Sequence, residues 1–335
     1  MSRHLYTGSF KEDMIDDAKT KTINAAQLFQ LVFLTLLFGV LLNSSYFYLR
    51  AKTWDDSIER TITVNVLRPF AAISDAVKLN ALRGRSREAI GLTRDDKIDN
   101  FEFKRTNATL TEPLPSTTLP RLTPENKLTS WIIGDSLAAT PGESLVAQLP
   151  TSTFDVYGLE SKVSTGLARP DVFNWFSFIN DFVSTRHPKT MIVSFGANDD
   201  QSLYSDGGSI GPFASDAWRK EYSNRISSTL DFLATNGVYT LWVEIPPVRD
   251  PVRNDRYQII NDITRAAIAA HPNTSSYIET KAAFTTAEGN YNDSLPINGV
   301  DTLLRSPDGI HFTRAGGDII ARLVIAKLHT LYAFE

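Results

Sequence analysis

A serine, a histidine and an aspartate on this chain have the types and order needed to move an acyl group. Ser136 stands in Gly134-Asp135-Ser136-Leu137, directly after the apolar run Trp131-Ile132-Ile133 and ahead of a helix start at Thr140-Pro141-Gly142-Glu143. A serine hydroxyl is a poor nucleophile until a base takes its proton. The chain has five histidines. His4 lies near the N-terminus, His187 and His271 each stand beside a proline at a helix end, and His329 falls in the last helix. His311, in Asp308-Gly309-Ile310-His311, is the one placed to serve as the base, and Asp308, three residues earlier, can hold the imidazole tautomer that base catalysis requires. The negative charge that develops on a carbonyl oxygen under attack needs donors. The Ser136 amide, the Gly166 amide and the Asn198 side chain are the candidates.

These residues need a scaffold that brings them together, and the pattern after residue 128 supplies one. Short β-like runs at Thr129–Ile133, Thr153–Tyr157, Thr190–Phe195, Val238–Ile245 and Ser275–Ile278 alternate with helical stretches. Ala214–Thr235 places Trp218, Tyr222, Ile226, Leu230 and Leu233 on one face, and Asn254–Ala270 and Arg314–Leu331 behave alike. Such alternation predicts a parallel sheet with helices on both faces. Ligands of open parallel sheets bind beyond the carboxyl ends of the strands. Ser136, Gly166, the Gly196-Ala197-Asn198-Asp199 block, Pro246-Pro247-Val248-Arg249 and the Asp308–His311 turn all follow strands on that edge. Asp199 is a candidate substrate contact, although shaping its loop is the stronger reading. Arg249 is open between binding an anionic substrate group and pairing with a carboxylate on a helix face. Two long connections, Gln201–Phe213 and Thr285–Pro307, flank the site as candidate binding walls.

The N-terminus is different in kind. No charged residue occurs from Thr22 to Leu49, with Lys19 and Lys21 before it and Arg50 and Lys52 after. A bilayer core needs about 20 apolar residues in a helix, and Tyr46, Phe47 and Tyr48 suit an interfacial aromatic belt. The rival reading is a cleaved signal peptide, for which the stretch is long and lacks a small-x-small cleavage site. The expectation is a single-pass anchor, with the bulk of the chain on the extracytoplasmic side of the cell membrane. From Trp54 to Leu92, Ile58, Ile62, Val66, Phe70 and Ile73 recur at helical spacing, with Pro69 as the expected break or kink. Residues 106–124 are rich in Thr and Pro and predict an extended linker. The expected map is a cytoplasmic tail at 1–22, a transmembrane anchor at 23–49, a juxtamembrane helical segment at 50–105, a linker at 106–127 and a catalytic domain at 128–335.

Composition narrows the classes. At 42% apolar and 21% charged residues, the chain is an ordinary globular sequence. A net charge of −4 with no basic cluster points away from nucleic acid. Cysteine is absent, so disulfides, thiolate metal sites and a cysteine nucleophile are excluded. No cofactor and no metal are expected.

With Gly134-Asp135-Ser136, Gly166, Gly196-Ala197-Asn198-Asp199 and Asp308-Gly309-Ile310-His311 in hand, the chain resembles the SGNH (GDSL-like) hydrolase superfamily over residues 128–331. It is more closely similar to a bacterial branch called DUF459, to which Thr165-Gly166-Leu167-Ala168-Arg169-Pro170-Asp171 and Pro246-Pro247-Val248-Arg249 point. The resemblance implies a three-layer α/β/α, flavodoxin-like fold with a five-stranded sheet, and ester hydrolysis or acyl transfer without a metal. It also suggests an acylated envelope glycan as substrate, in a shallow cleft. An integral-membrane acyl-donor protein is the partner the anchor would suit. The alternatives are a non-catalytic glycan-binding or scaffold protein that keeps the fold, and a lipase or thioesterase.

Overall fold

The computed structural model describes residues 24–52, 58–89, 102–104, 119–168, 170, 173–205 and 208–334. The expected tail at 1–22, most of the expected linker, and Arg169 and Asp171 lie outside them.

The first helix, α1, runs Ala25–Lys52. Its segment Ala25–Tyr48, 24 residues long, holds an 18-residue window with a mean hydropathy of 2.2. At 1.5 Å per residue this is about 36 Å, enough to cross a hydrocarbon core of about 30 Å. The chain divides into two compact units between Val40 and Leu41. The first unit's part of α1 is exposed nearly throughout. In the second, α2 (Ile58–Ala76) and α3 (Leu79–Ala89) follow. Pro69 does not end α2; the break falls at Lys78, whose φ of 59° cannot continue a helix.

The remainder is a parallel sheet between helices. In chain order come β1 (Leu128–Gly134), α4 (Ala139–Gln148), β2 (Phe154–Ser161), α5 (Trp175–Arg186), β3 (Thr190–Ser194), β4 (Leu203–Ser205), β5 (Gly208–Gly211), α6 (Asp216–Thr235), β6 (Tyr239–Val243), α7 (Pro251–Ala269), β7 (Ser275–Ile278), β8 (Ser294–Ile297), β9 (Val300–Leu303) and α8 (Arg314–Leu331). The five strands order as β2-β1-β3-β6-β7, every pair parallel. This is the expected α/β, flavodoxin-like arrangement. Met191, Ile192 and Val193 are buried, as a central parallel strand covered on both faces requires. The predicted face of α6 is the buried one: Trp218, Tyr222, Ile226, Leu230 and Leu233 all lie inside. Local chemistry sets the helix starts. Asn174, Ser215, Asp250 and Thr313 each accept a first-turn amide through the side chain, and Pro251 opens α7.

Two features depart from the expectation. The long connections fold into antiparallel hairpins, β4–β5 and β8–β9. Residues ahead of Leu128 also pack on the sheet and its helices. Leu122 is buried and its amide donates to Ala333 O at 2.9 Å, while Phe103 stacks on Phe232 at 4.0 Å and meets Phe176 edge-on.

Candidate active site

Strand β1 ends at Gly134, and the chain enters a single 3-10 turn, Ser136–Ala138, that leads into α4. That turn lifts Ser136 to the carboxyl edge of the sheet. Asp135 is its cap, accepting from Leu137 N at 2.9 Å. The other carboxylate oxygen of Asp135 accepts from the amides of Gly196 and Ala197 at 3.0 and 2.9 Å. The acid in Gly-Asp-Ser thus ties the serine turn to the turn after β3. Gly196 has a φ of 123°, which only glycine adopts readily, and this aims its amide back at Asp135. Burial pushes Asp135 up to about 7 against the pull of those three amides.

His311 lies on the turn ahead of α8. Its Nε2 is 2.8 Å from Ser136 Oγ and its Nδ1 is 2.6 Å from Asp308 Oδ2. Burial tends to raise Asp308, but the hydrogen bond from His311 and the amides of Ile310 and His311 outweigh it and hold the carboxyl at about 2. An ionised carboxylate only accepts, so Nδ1 donates and Nε2 is left to accept the serine proton. Asp308 Oδ1 also takes the amides of Ile310 and His311 at 2.9 and 3.0 Å, which fixes the turn around the imidazole.

The three donor candidates sort differently. Among the described residues, the amides of Ser136 and Gly166 donate to no protein acceptor. Asn198 spends one Nδ2 hydrogen on Thr165 O at 3.0 Å, which leaves the other for a ligand and joins the two loops. Gly166 sits hard against Asp199: a Cβ there would lie 2.1 Å from Asp199 Oδ1.

Two further candidates have definite partners in the structure. Asp199 points inward. It is fully buried and accepts from Leu167 N, Ala168 N and Tyr222 OH at 3.1, 2.9 and 2.9 Å, so it is the anchor of the Gly166 loop. Burial pushes it up to about 6. Arg249 pairs with both oxygens of Asp293, at 2.8 and 2.7 Å, and donates to Pro307 O at 2.8 Å. It binds the chain just ahead of β8 to the Asp308 turn, and among the described residues it has no partner on a helix face.

Two arginines that periodicity could not single out complete the frame. Arg225, on α6, is 2% exposed. It donates to Leu167 O at 2.7 Å and Tyr204 O at 2.8 Å, and pairs with Glu221 and with Glu102 of the segment before the linker. Its one sequence signal is its place on the buried arc of α6, where a charged residue is rare. Arg305 is 1% exposed between the rings of Phe284 and Phe312, and donates to Ile310 O and Pro247 O. Burial lowers it to about 10. Nothing in the sequence around it marks it out.

The arrangement can deprotonate a serine hydroxyl, hold the resulting imidazolium, and offer amide hydrogens to an oxyanion. Residues 129–327 match the model of a family described as "Protein of unknown function (DUF459)". No curated protein matches the chain. Among solved structures, a catalytic mutant of an acetylxylan esterase from Geobacillus stearothermophilus is 14% identical, with a TM-score of 0.43 over 60% of this chain and 93% of that one. A GDSL-like lipase from Bacteroides thetaiotaomicron is 14% identical, TM-score 0.41, over 62% and 90%. An esterase from Pseudoalteromonas is 12% identical, TM-score 0.40, over 61% and 98%.

Proposed function

The chain belongs to the DUF459 family, and on that premise we propose that it is a membrane-anchored serine enzyme that hydrolyses or transfers O-acyl groups, acetyl above all, on a cell-envelope glycan. The observation that carries the reading is the unbroken line Ser136 Oγ–His311–Asp308, with hydrogen bonds of 2.8 and 2.6 Å, at the carboxyl edge of the sheet. Ser136 Oγ attacks the acyl carbon while its proton passes to His311 Nε2, and Asp308 stabilises the imidazolium. The carbonyl oxygen takes the negative charge and is met by the Ser136 and Gly166 amides and the second Nδ2 hydrogen of Asn198. Collapse expels the sugar oxygen, which takes the proton from His311 and leaves Ser136 acylated. Water then completes hydrolysis; a sugar hydroxyl completes transfer. The His311 and Asp308 side chains are 42% and 45% exposed, which suits a long polar chain lying across the edge better than a single buried tail. The apolar α1 supports an anchor, the domain lying on the extracytoplasmic side, and an integral-membrane acyl donor would be its natural partner.

The test is to incubate the full chain, in detergent, with an activated acetyl ester, alone and with an oligosaccharide acceptor. We expect an acetyl adduct on Ser136 by mass spectrometry, and free acetate or acetylated sugar as product. No adduct and no turnover, with Ser136→Ala behaving as the wild type does, would sink the catalytic reading. Protease added to intact cells checks the side: a domain it cannot reach is not outside.

A further inference from the structure

Helix α2 has two buried-or-apolar faces, and among the described residues one of them is left exposed. The first, with Ala71 and Ser74 buried, lies against the end of α1: Ser45 Oγ donates to Asp75 Oδ1 at 2.8 Å and to Ala71 O at 3.4 Å. The second is Ile58, Ile62, Val66 and Ile73, which recur with a helical period, continued by Val77 just past the helix end; they are 76, 58, 56, 50 and 60% exposed. Exposure of this degree matches that of the apolar side chains of α1 itself, such as Phe29 at 72% and Leu36 at 65%. Isolated apolar side chains on a surface need no explanation, but a continuous stripe five residues long marks an interaction surface.

The position and charge of the stripe say what covers it. Ser45 lies within the segment that is long and apolar enough to cross a membrane, three residues from its end at Tyr48. The C-terminal part of α2 is therefore level with the last turn of that segment, and Arg83 of α3 sits 4.2 Å over the ring of Tyr46 at the same height. Residues 58–89 hold six Lys and Arg against three Asp and Glu, in a chain whose net charge is −4. An amphipathic helix with a basic excess, held at the mouth of a membrane span, has the chemistry of a helix lying in an anionic lipid surface.

We propose that the outward stripe of α2, from Ile58 to Ile73 and on to Val77 beyond its end, lies in the headgroup–acyl boundary of the bilayer, so that α2 and α3 form a platform in the membrane plane. The proposal goes beyond the enzymatic reading and depends only on the anchor.

The absence of cysteine makes the test direct. Single cysteines are placed at Phe38 in the span, at Val66 on the stripe and at Ala72 on the polar side of α2, each in the full chain. Each is labelled with a fluorophore and reconstituted in phosphatidylcholine–phosphatidylglycerol vesicles containing spin-labelled lipid. Expected is strong quenching at Phe38, and quenching at Val66 at least about twofold above that at Ala72. Quenching at Phe38 with Val66 no different from Ala72 overturns the platform and leaves the anchor standing. Unlabelled Val66→Cys protein that an added mild oxidant converts to a disulfide-linked dimer in the vesicles instead assigns the stripe to a second chain and overturns it too. No quenching at Phe38 removes the anchor and this proposal with it, while the esterase test above is untouched.

Discussion

Gly166→Ala is the substitution whose effect follows most directly from the coordinates. An ideal Cβ at this position would lie 2.1, 2.7 and 2.8 Å from the Oδ1, Cγ and Oδ2 atoms of Asp199. Ordinary contact begins near 3.4 Å, so the two must part by about 1.3 Å. Asp199 is fully buried and pinned by Leu167 N, Ala168 N and Tyr222 OH, so it cannot swing away; the loop carrying the Gly166 amide has to move. A misplacement of about 1 Å in a reacting group costs about 100-fold, and loss of an oxyanion donor costs about 100- to 1000-fold. The expected loss in kcat is therefore about 100- to 1000-fold, or about 2.7–4 kcal/mol of transition-state stabilisation, with little change in KM. Initial rates on 4-nitrophenyl acetate read it, at a temperature where circular dichroism shows the variant folded. Gly158→Ala is the control, since a Cβ there meets only the Trp131 ring at an ordinary 3.8 Å. A folded Gly166→Ala protein with kcat within about fivefold of wild type, or a loss carried entirely by KM, would refute the assignment of this amide.

Three more expectations can be measured. Asp308→Asn keeps an acceptor for the Ile310 and His311 amides but offers an N–H to Nδ1, which forces the wrong tautomer; kcat should fall by about 10⁴-fold, and wild-type activity should show no limb from Asp308 between pH 4 and 9, because its carboxyl titrates at about 2. Asp135 titrates at about 7 in the fold against 3.8 as its ordinary value, so the native state keeps a proton the unfolded chain releases. Its contribution to stability is full below about pH 4 and is lost as pH rises through 7; Asp199, at about 6, acts in the same direction. The melting temperature should fall from pH 5 to pH 8 in the wild type and fall less in Asp135→Asn, and an unchanged slope in the variant would refute the assignment. Arg305→Lys cannot reach both Ile310 O and Pro247 O with one ammonium group, and leaving a buried carbonyl unpaired costs about 1–3 kcal/mol, which urea unfolding at constant m-value will show.

The sheet and its edge were legible because they rest on local signals. Runs such as Met191-Ile192-Val193 and the face of α6 declare their burial through periodicity, and a parallel sheet puts every strand's carboxyl end on one side. That is why the sequence alone puts Ser136, Gly166, Asn198 and His311 on one edge. The rest depended on contacts that periodicity does not carry. Glu102 meets Arg225 across 123 positions, and a single acid in a Thr/Pro-flanked stretch looks like solvated chain. Asp199 reads as a polar residue beside a catalytic asparagine until its three donors, two of them on the Gly166 loop, are seen. The β8–β9 hairpin has Pro296 in one strand and mostly exposed residues in the other, so it lacks the alternation that announces a half-buried strand.

The docking of Glu102 and Phe103 has a consequence for reach. Were the catalytic domain tethered only at Leu128, 39 residue steps from Ala89 would let it range up to about 140 Å from the end of α3. Fixed instead at Glu102, it is separated from Ala89 by 13 residue steps, which span at most about 47 Å. That covalent limit caps how far the sheet, and Ser136 at its edge, can stand from the end of α3. The same docking decides where the protein may be cut: a fragment starting at Asn107 would strip Phe103 from Phe232 and take from Arg225 one of its two carboxylate partners, so a soluble enzyme should begin no later than Glu102.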